Sequence, residues 1–248
     1  THCISSAASD VYKRQVDIME EDIDFKYPEV VNIRGYKPTT KGHIGQIRKI
    51  IERIKTSKRP IICAGGGVIL AKAENKLREF VEKSNIPVVH TLMGKGSINE
   101  DSNYYVGLIG THGFDYANKA VDNADVLILI GARATDRTTR GIKDFAKNAD
   151  VIHIDIDPKE FGKNVDVDVA IRGDIKNALD ILNNKMEKQS HSAWMKKILG
   201  LKKKDSENYY DFQSEENECP DPRYVIDTLY KLTTVSYTHL TLPTICSV

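Results

Sequence analysis

The sequence predicts an α/β fold built on a doubly wound parallel sheet. Short runs that are apolar on both faces recur between residues 43 and 188. Stretches with a helical period separate them, and turn-forming or glycine-rich segments follow them. Strands with no polar alternation belong to a sheet covered on two sides, and the intervening helices supply the cover.

The elements follow in order. Residues 16–42 are first acidic, then carry Pro and Gly, sustain no period and read as a linker leaving another domain. Ile44, Ile47, Ile51 and Ile54 predict a helix over 43–54, which Lys58-Arg59-Pro60 ends before a strand from Pro60 to Ala64. After Gly65-Gly66-Gly67, the spacing of Ala73, Leu77 and Phe80 predicts a helix over 71–83, and Ile86 to Thr91 a strand. Gly113 to Asn123 reads as helix and Asp125 to Ile130 as a nearly continuous apolar strand. Val151 to Ile156 and Val167 to Ile171 are further strands, and Ile175 to about Glu187 is a helix. The domain therefore runs over 43–188. Residues 189–221 turn polar and read as a second linker, with one amphipathic patch around Trp194, Ile198 and Leu201. Residues 222–234 open a new helix, in which Val225, Ile226, Leu229 and Leu232 share a face after Pro222.

Composition removes several functions. With 36 basic against 35 acidic residues, no overall charge marks a nucleic-acid or membrane-surface binder. No apolar stretch approaches the roughly 18 residues that span a bilayer. Of four cysteines, Cys63 and Cys219 are isolated thiols without metal-ligand spacing or a disulfide framework, as expected of a cytoplasmic, reduced protein.

Ligands of an open parallel sheet bind beyond the carboxyl ends of its strands, so chemistry is sought there. Gly65-Gly66-Gly67 is either a tight turn or a place where a diphosphate or flat ring reaches the backbone, with a helix start beyond it. Thr91 to Gly96 and Gly107 to Gly113 hold five glycines between them, and His112 is either a donor to a carbonyl or phosphate oxygen or a structural residue. Gly131 to Arg137 follows the most apolar strand. Arg133 and Arg137 there suit a phosphate or an electron-rich ring, or pair with Asp136 or Asp144. Asp155 and Asp174, at the ends of two later strands, suit ribose hydroxyls, and Asp174 also stands where a helix cap is needed. Together the loops suggest an adenine dinucleotide along the sheet edge. No nucleophile-base pair, zinc motif or Walker loop is present, so no catalytic or metal-binding residue is assigned.

TLMGKG, GLIGTHGFDYAN, ADVLILIGARATDR, VIHIDIDPKEFGKN and VAIRGD, in that order between Thr91 and Asp174, resemble the middle domain of acetolactate synthase (acetohydroxyacid synthase) large subunits. NIRGY around Arg34 resembles the segment that leads into it. The resemblance implies a Rossmann-like fold, the thiamine diphosphate enzyme central domain, holding FAD. The contacts it implies are Arg34, Gly65, Gly66, Gly67, Thr91, Leu92, Ile109, Gly110, Thr111, His112, Gly131, Ala132, Arg133, Asp155, Ile156, Asp174 and Ile175. Where the family commonly has Phe-Asp this chain has Ala134-Thr135, which removes an aromatic and an acid beside Arg133. The intact enzyme of the family condenses pyruvate with pyruvate or 2-oxobutyrate for isoleucine and valine synthesis. It uses thiamine diphosphate and Mg2+, and FAD makes no net redox contribution. It works as a homo-oligomer, dimer or tetramer, often with a small regulatory subunit.

The ends carry a separate expectation. One DNA segment can encode Ser5 to Gln15 on one strand and Val235 to Thr244 on the other, and it resembles a transposon adapter used in library preparation. Residues 1–15 and 235–248 are therefore expected to be adapter-encoded. On this reading the linker at 16–42 leaves a missing pyrimidine-binding domain, residues 222–234 begin a truncated diphosphate-binding domain, and the piece alone has no synthase activity. The competing readings are a pyruvate oxidase-like thiamine diphosphate flavoenzyme, whose flavin would be redox active, and a stand-alone nucleotide-binding module. A nicotinamide dehydrogenase is disfavoured by the glycine spacing.

Overall fold

The computed structural model describes residues 22, 24, 26, 27, 29, 30, 40, 42–141, 145–209 and 222–232. The chain divides into two compact units, Thr1–Lys37 and Pro38–Val248. The second unit holds every helix and strand described. In chain order these are α1 (Ile44–Thr56), β1 (Pro60–Ala64), α2 (Gly66–Leu70), α3 (Glu74–Ser84), β2 (Val88–His90), β3 (Tyr105–Leu108), α4 (Asp115–Asp122), β4 (Val126–Ile130), α5 (Asp136–Thr139), β5 (Asp150–Asp155), β6 (Val169–Arg172), α6 (Ile175–Lys185), α7 (Ser192–Tyr209) and α8 (Pro222–Leu232). Single 3-10 turns at Leu92–Gly94 and Pro158–Glu160 follow β2 and β5.

The six strands are all parallel, in the order β3-β2-β1-β4-β5-β6. The chain winds outward from β1 to β3, then crosses back to lay β4 on the other side of β1. That reversal makes the β1–β4 boundary the switch point of a doubly wound sheet. Alternate residues of each strand feed two separate cores. Ile62, Ala64, Val126, Ile128, Ile130, Ile152 and Ile154 face one, closed by α1, α3 and α6 through Ile50, Phe80 and Leu179. Ile61, Cys63, Leu127, Leu129 and Val151 face the other, closed by α4 and α7 through Ala117, Ala120, Trp194 and Ile198. All five residues of β1 and all five of β4 are buried. At about 1.5–3 kcal/mol for each large aliphatic side chain taken fully from water, these two strands form the energetic centre of the domain.

The architecture matches the fold class predicted, and four elements differ from expectation, one of them the single-turn helix α5 in the loop after β4. Tyr105–Leu108 is a sixth strand where a glycine-rich loop was expected. It is a short edge strand whose register slips beside Val88 and whose Gly107 has φ +144°, so its alternation is too brief to read. A short helix, Gly66–Leu70, starts inside the glycine run rather than after it. The stretch expected to be a linker from 189 contains α7. Trp194 and Ile198 are buried against the second core, and Trp194 Nε1 donates to the Pro60 carbonyl at 3.0 Å. The alternating basic and apolar residues of this helix have low overall hydrophobicity, and only tertiary contact reveals their buried side. Among the described residues, no helix is long and apolar enough to cross a membrane.

Candidate functional site

Because every strand is parallel, all six carboxyl ends fall at one edge of the sheet, and main-chain hydrogen bonds stitch the loops beyond them together. Gly65 N donates to Ile130 O at 2.9 Å and Gly67 N to Gly131 O at 3.0 Å, tying the β1 and β4 ends. Thr91 N reaches Ala64 O at 3.0 Å, and Ile109 N reaches His90 O at 3.0 Å. Gly131 N reaches Ile154 O at 2.9 Å, and Gly173 N reaches Asp155 O at 3.0 Å. Thr111 N donates to Arg137 O at 2.8 Å, and Asn118 clasps Gly110 by accepting from its N–H at 2.9 Å and donating to its carbonyl at 3.1 Å.

The glycines at the switch point are explained by close approach. A Cβ on Gly65 would run into the Gly131 carbonyl and Ala132. Gly131 has φ +56°, and a Cβ there would come within 2.5 Å of Ile175 Cδ1 and 2.7 Å of Gly67 Cα. Gly65, Gly67, Gly131 and Ile175 therefore form one close crossing, which brings the starts of α2 and α6 to the end of β4.

Around this crossing the exposed groups are of two kinds. Leu92 and Met93 on the turn after β2 and Leu70 at the end of α2 are largely exposed, and Ile156 is exposed beyond β5. Thr111, His112, Arg133 and Arg137 are also exposed. Arg133 Nε lies 3.9 Å from Glu160 Oε1, rather than pairing with Asp136; Asp144 lies outside the described residues. Arg137 has no ion pair among the described residues. The Asp155 side chain is 13% exposed, with Oδ1 accepting from Asp157 N at 2.9 Å. Asp174 caps α6, its Oδ1 accepting from Asn177 N at 3.0 Å, and its own N–H donates to Thr40 O at 3.1 Å. The Thr40 carbonyl also accepts from Asn177 Nδ2 at 3.3 Å, so the incoming chain is pinned beside β6.

Of the residues singled out from sequence, Arg34 lies outside the described residues. The remainder gather along this one edge. Leu92, Thr111, His112, Arg133 and Ile156 present side chains to solvent, whereas Thr91, Ile109, Ala132 and Ile175 are buried and offer a ligand only main chain. Gly110 is buried and held by Asn118. Thr135 spends its polar atoms locally: its carbonyl accepts from Thr139 Oγ1 at 3.1 Å, and its hydroxyl meets Thr138 Oγ1 at 3.2 Å. Sequence reading passed over Asn118 and His153. His153 is 1% exposed, Phe161 stands edge-on to its ring, and its Nε2 has no hydrogen-bond partner. Burial pushes its imidazole below the ordinary value, against the pull of Asp155, the Ala132 main chain and Glu160. The one signal of it in the sequence is a single polar residue inside an apolar strand, VIHID.

Residues 47–182 match the model of the thiamine pyrophosphate enzyme central domain. Among curated proteins, the chain is 48% identical over 203 residues to a probable acetolactate synthase large subunit of Methanococcus aeolicus, a match covering 77% of this chain and 34% of that protein. It is 39% identical over 223 residues to the acetolactate synthase large subunit of Buchnera aphidicola from Acyrthosiphon pisum, covering 88% and 38%. It is 47% identical over 193 residues to a probable acetolactate synthase large subunit of Methanocaldococcus jannaschii, covering 75% and 33%. The chain thus spans about a third of the length of these relatives.

Proposed function

The chain belongs to the family of thiamine pyrophosphate enzyme central domains, and from that membership we propose that it is the FAD-binding middle domain of an acetolactate synthase large subunit. The observation that carries the reading is where the family-matched segment puts its polar and glycine-rich loops. Residues 47–182 include every candidate contact from Gly65 to Ile175, and these loops line the carboxyl edge on both sides of the switch point. The relatives' names supply the activity.

The edge has the chemistry a flavin dinucleotide needs. Arg133 offers a planar guanidinium to a diphosphate, held only loosely by Glu160. Asp155 offers carboxylate lone pairs to ribose hydroxyls. Leu92, Met93 and Ile156 are exposed apolar side chains suited to cover a flat ring. The buried members of the set, Thr91, Ile109, Ala132 and Ile175, shape the floor and contribute main-chain groups. In the parent enzyme, thiamine diphosphate anchored by Mg2+ supplies the carbanion chemistry that joins pyruvate to pyruvate or 2-oxobutyrate. This domain's residues hold and orient FAD without net redox change. The parent functions as a homo-oligomer in the cytoplasm, with a small regulatory subunit as a further partner.

Titrating the purified 248-residue chain with FAD, and following flavin fluorescence at neutral pH, tests the reading. Saturable quenching at one FAD per chain is expected, with ADP competing and FMN not, because the strand-end carboxylate and arginine address the adenosine diphosphate half. No binding, or competition by FMN alone, would sink it.

A further inference from the structure

Inside β5, directly beneath the strand-end loops, lies a ring nitrogen that the fold buries without a hydrogen-bond partner. His153 is paired across the sheet with Leu129 of β4 and Ala170 of β6, and it is 1% exposed. The Ala132 main chain lies beside the ring and favours its charged form, and Phe161 stands edge-on to it, with ring centroids 5.0 Å apart and planes at 83°. Its Nε2 has no hydrogen-bond partner and lies 3.9 Å from Asp155 Oδ2. The Asp155 carboxylate has its other oxygen engaged by Asp157 N, and lies two residues along the same face of the strand. Buried polar atoms in folded proteins are nearly always satisfied, so an orphan nitrogen opposite a carboxylate oxygen is an arrangement completed by a proton.

We propose that His153 is a positioning residue for Asp155, its protonation state setting whether that carboxylate turns inward or stays open to a ligand hydroxyl at the strand ends. With its proton on Nδ1, neutral His153 presents a bare Nε2 to Oδ2, and the carboxylate keeps its lone pairs for the sheet edge. With a proton on Nε2, an imidazolium N–H faces Oδ2 and draws the carboxylate into a charge-assisted hydrogen bond. A ribose hydroxyl and the His153 proton then compete for the same oxygen, so acid weakens the binding of any ligand that uses Asp155. Among the described residues, two acidic groups act on His153: Asp155 on its own strand and Glu160 on the turn after β5. Glu160 lies 3.3 Å from Lys163 Nζ and 3.9 Å from Arg133 Nε, which leaves Asp155 as the acid without a basic partner among the described residues. The ligand half of this proposal rests on the flavin reading above. The coupling of His153 to Asp155 does not.

Two measurements on the full chain separate these halves. In the ligand-free protein, the His153 imidazole signal is identified by its loss in His153→Gln and by magnetisation transfer to the Phe161 ring, then titrated by NMR. In Asp155→Asn its midpoint is expected to move to lower pH, because the carboxylate favours the charged ring. An unmoved midpoint overturns the proposal. If His153→Gln does not fold, the Phe161 contact alone identifies the signal and the comparison with Asp155→Asn stands. FAD affinity is then measured across the same pH range. The dissociation constant is expected to rise as pH falls through the His153 midpoint, approaching about tenfold per pH unit, and to stay flat in His153→Gln. Equal affinity on both sides of the midpoint overturns the control of binding. If FAD fails to bind at any pH, the flavin reading falls, and the ligand-free titration still decides the positioning role.

Discussion

At the scale of single residues, the carboxyl edge is governed by side chains that are missing or hidden. Gly131 combines a left-handed backbone at φ +56° with neighbours that leave no room for a Cβ. Gly131→Ala is therefore expected to destabilise the domain by about 2–4 kcal/mol, read from urea unfolding, since backbone strain and a clash with Gly67 add. The crossing cannot relax without moving β4 or α6. The glycines were visible in the sequence because they cluster, although the sequence could not say whether the space they leave serves a ligand or another backbone. For Gly65, Gly67 and Gly131 it serves another backbone. Asn118 and His153 were not legible. A single polar residue in an apolar run has the same period whether it is satisfied, orphaned or bonded to a loop, and the partners that decide the matter are distant in sequence or depend on the fold.

At the scale of elements, sequence period found what is buried on a regular face and missed what is buried by contact alone. β1 and β4 were plain because all their residues are apolar, and α3 and α6 because Leu77, Phe80, Leu179 and Leu182 recur at helical spacing. β3 was lost to its brevity and to Gly107. The core role of α7 was lost because lysines surround its apolar residues. That helix covers the second face where β1 and β3 would otherwise meet water, and Lys202 near its middle donates to the Tyr105 carbonyl at 3.3 Å, capping an edge strand. Trp194→Ala should therefore cost about 3–5 kcal/mol in chemical denaturation, by emptying a large buried volume and leaving the Pro60 carbonyl without its donor. A loss within a few tenths of a kcal/mol would mean that the segment is a linker after all.

At the scale of the whole molecule, the three buried imidazoles among the described residues give the fold a common response to acid. Burial holds His90, His153 and His191 below the ordinary value of 6.5. The unfolded chain takes up protons near 6.5 that the folded chain refuses, so stability is full above that pH. It declines as pH drops toward the lowered folded-state values and levels off beneath them. Thermal melting between neutral and mildly acid pH should show the melting temperature falling, and a melting temperature that rises with acid would contradict the burial of these rings. The strand order has a consequence in time. β1 is the middle of the sheet, yet one of its two neighbours is the next strand made and the other, paired from Pro60 to Val126 through Ala64 to Ile130, comes only after the chain has run out to β3 and back. On the ribosome, the half-sheet β1–β3 emerges first and must wait with one bare hydrogen-bonding edge until β4 arrives. Folding rate is then set by closure of that long loop, and the waiting edge is the point at which a nascent chain is most open to pairing with a stranger.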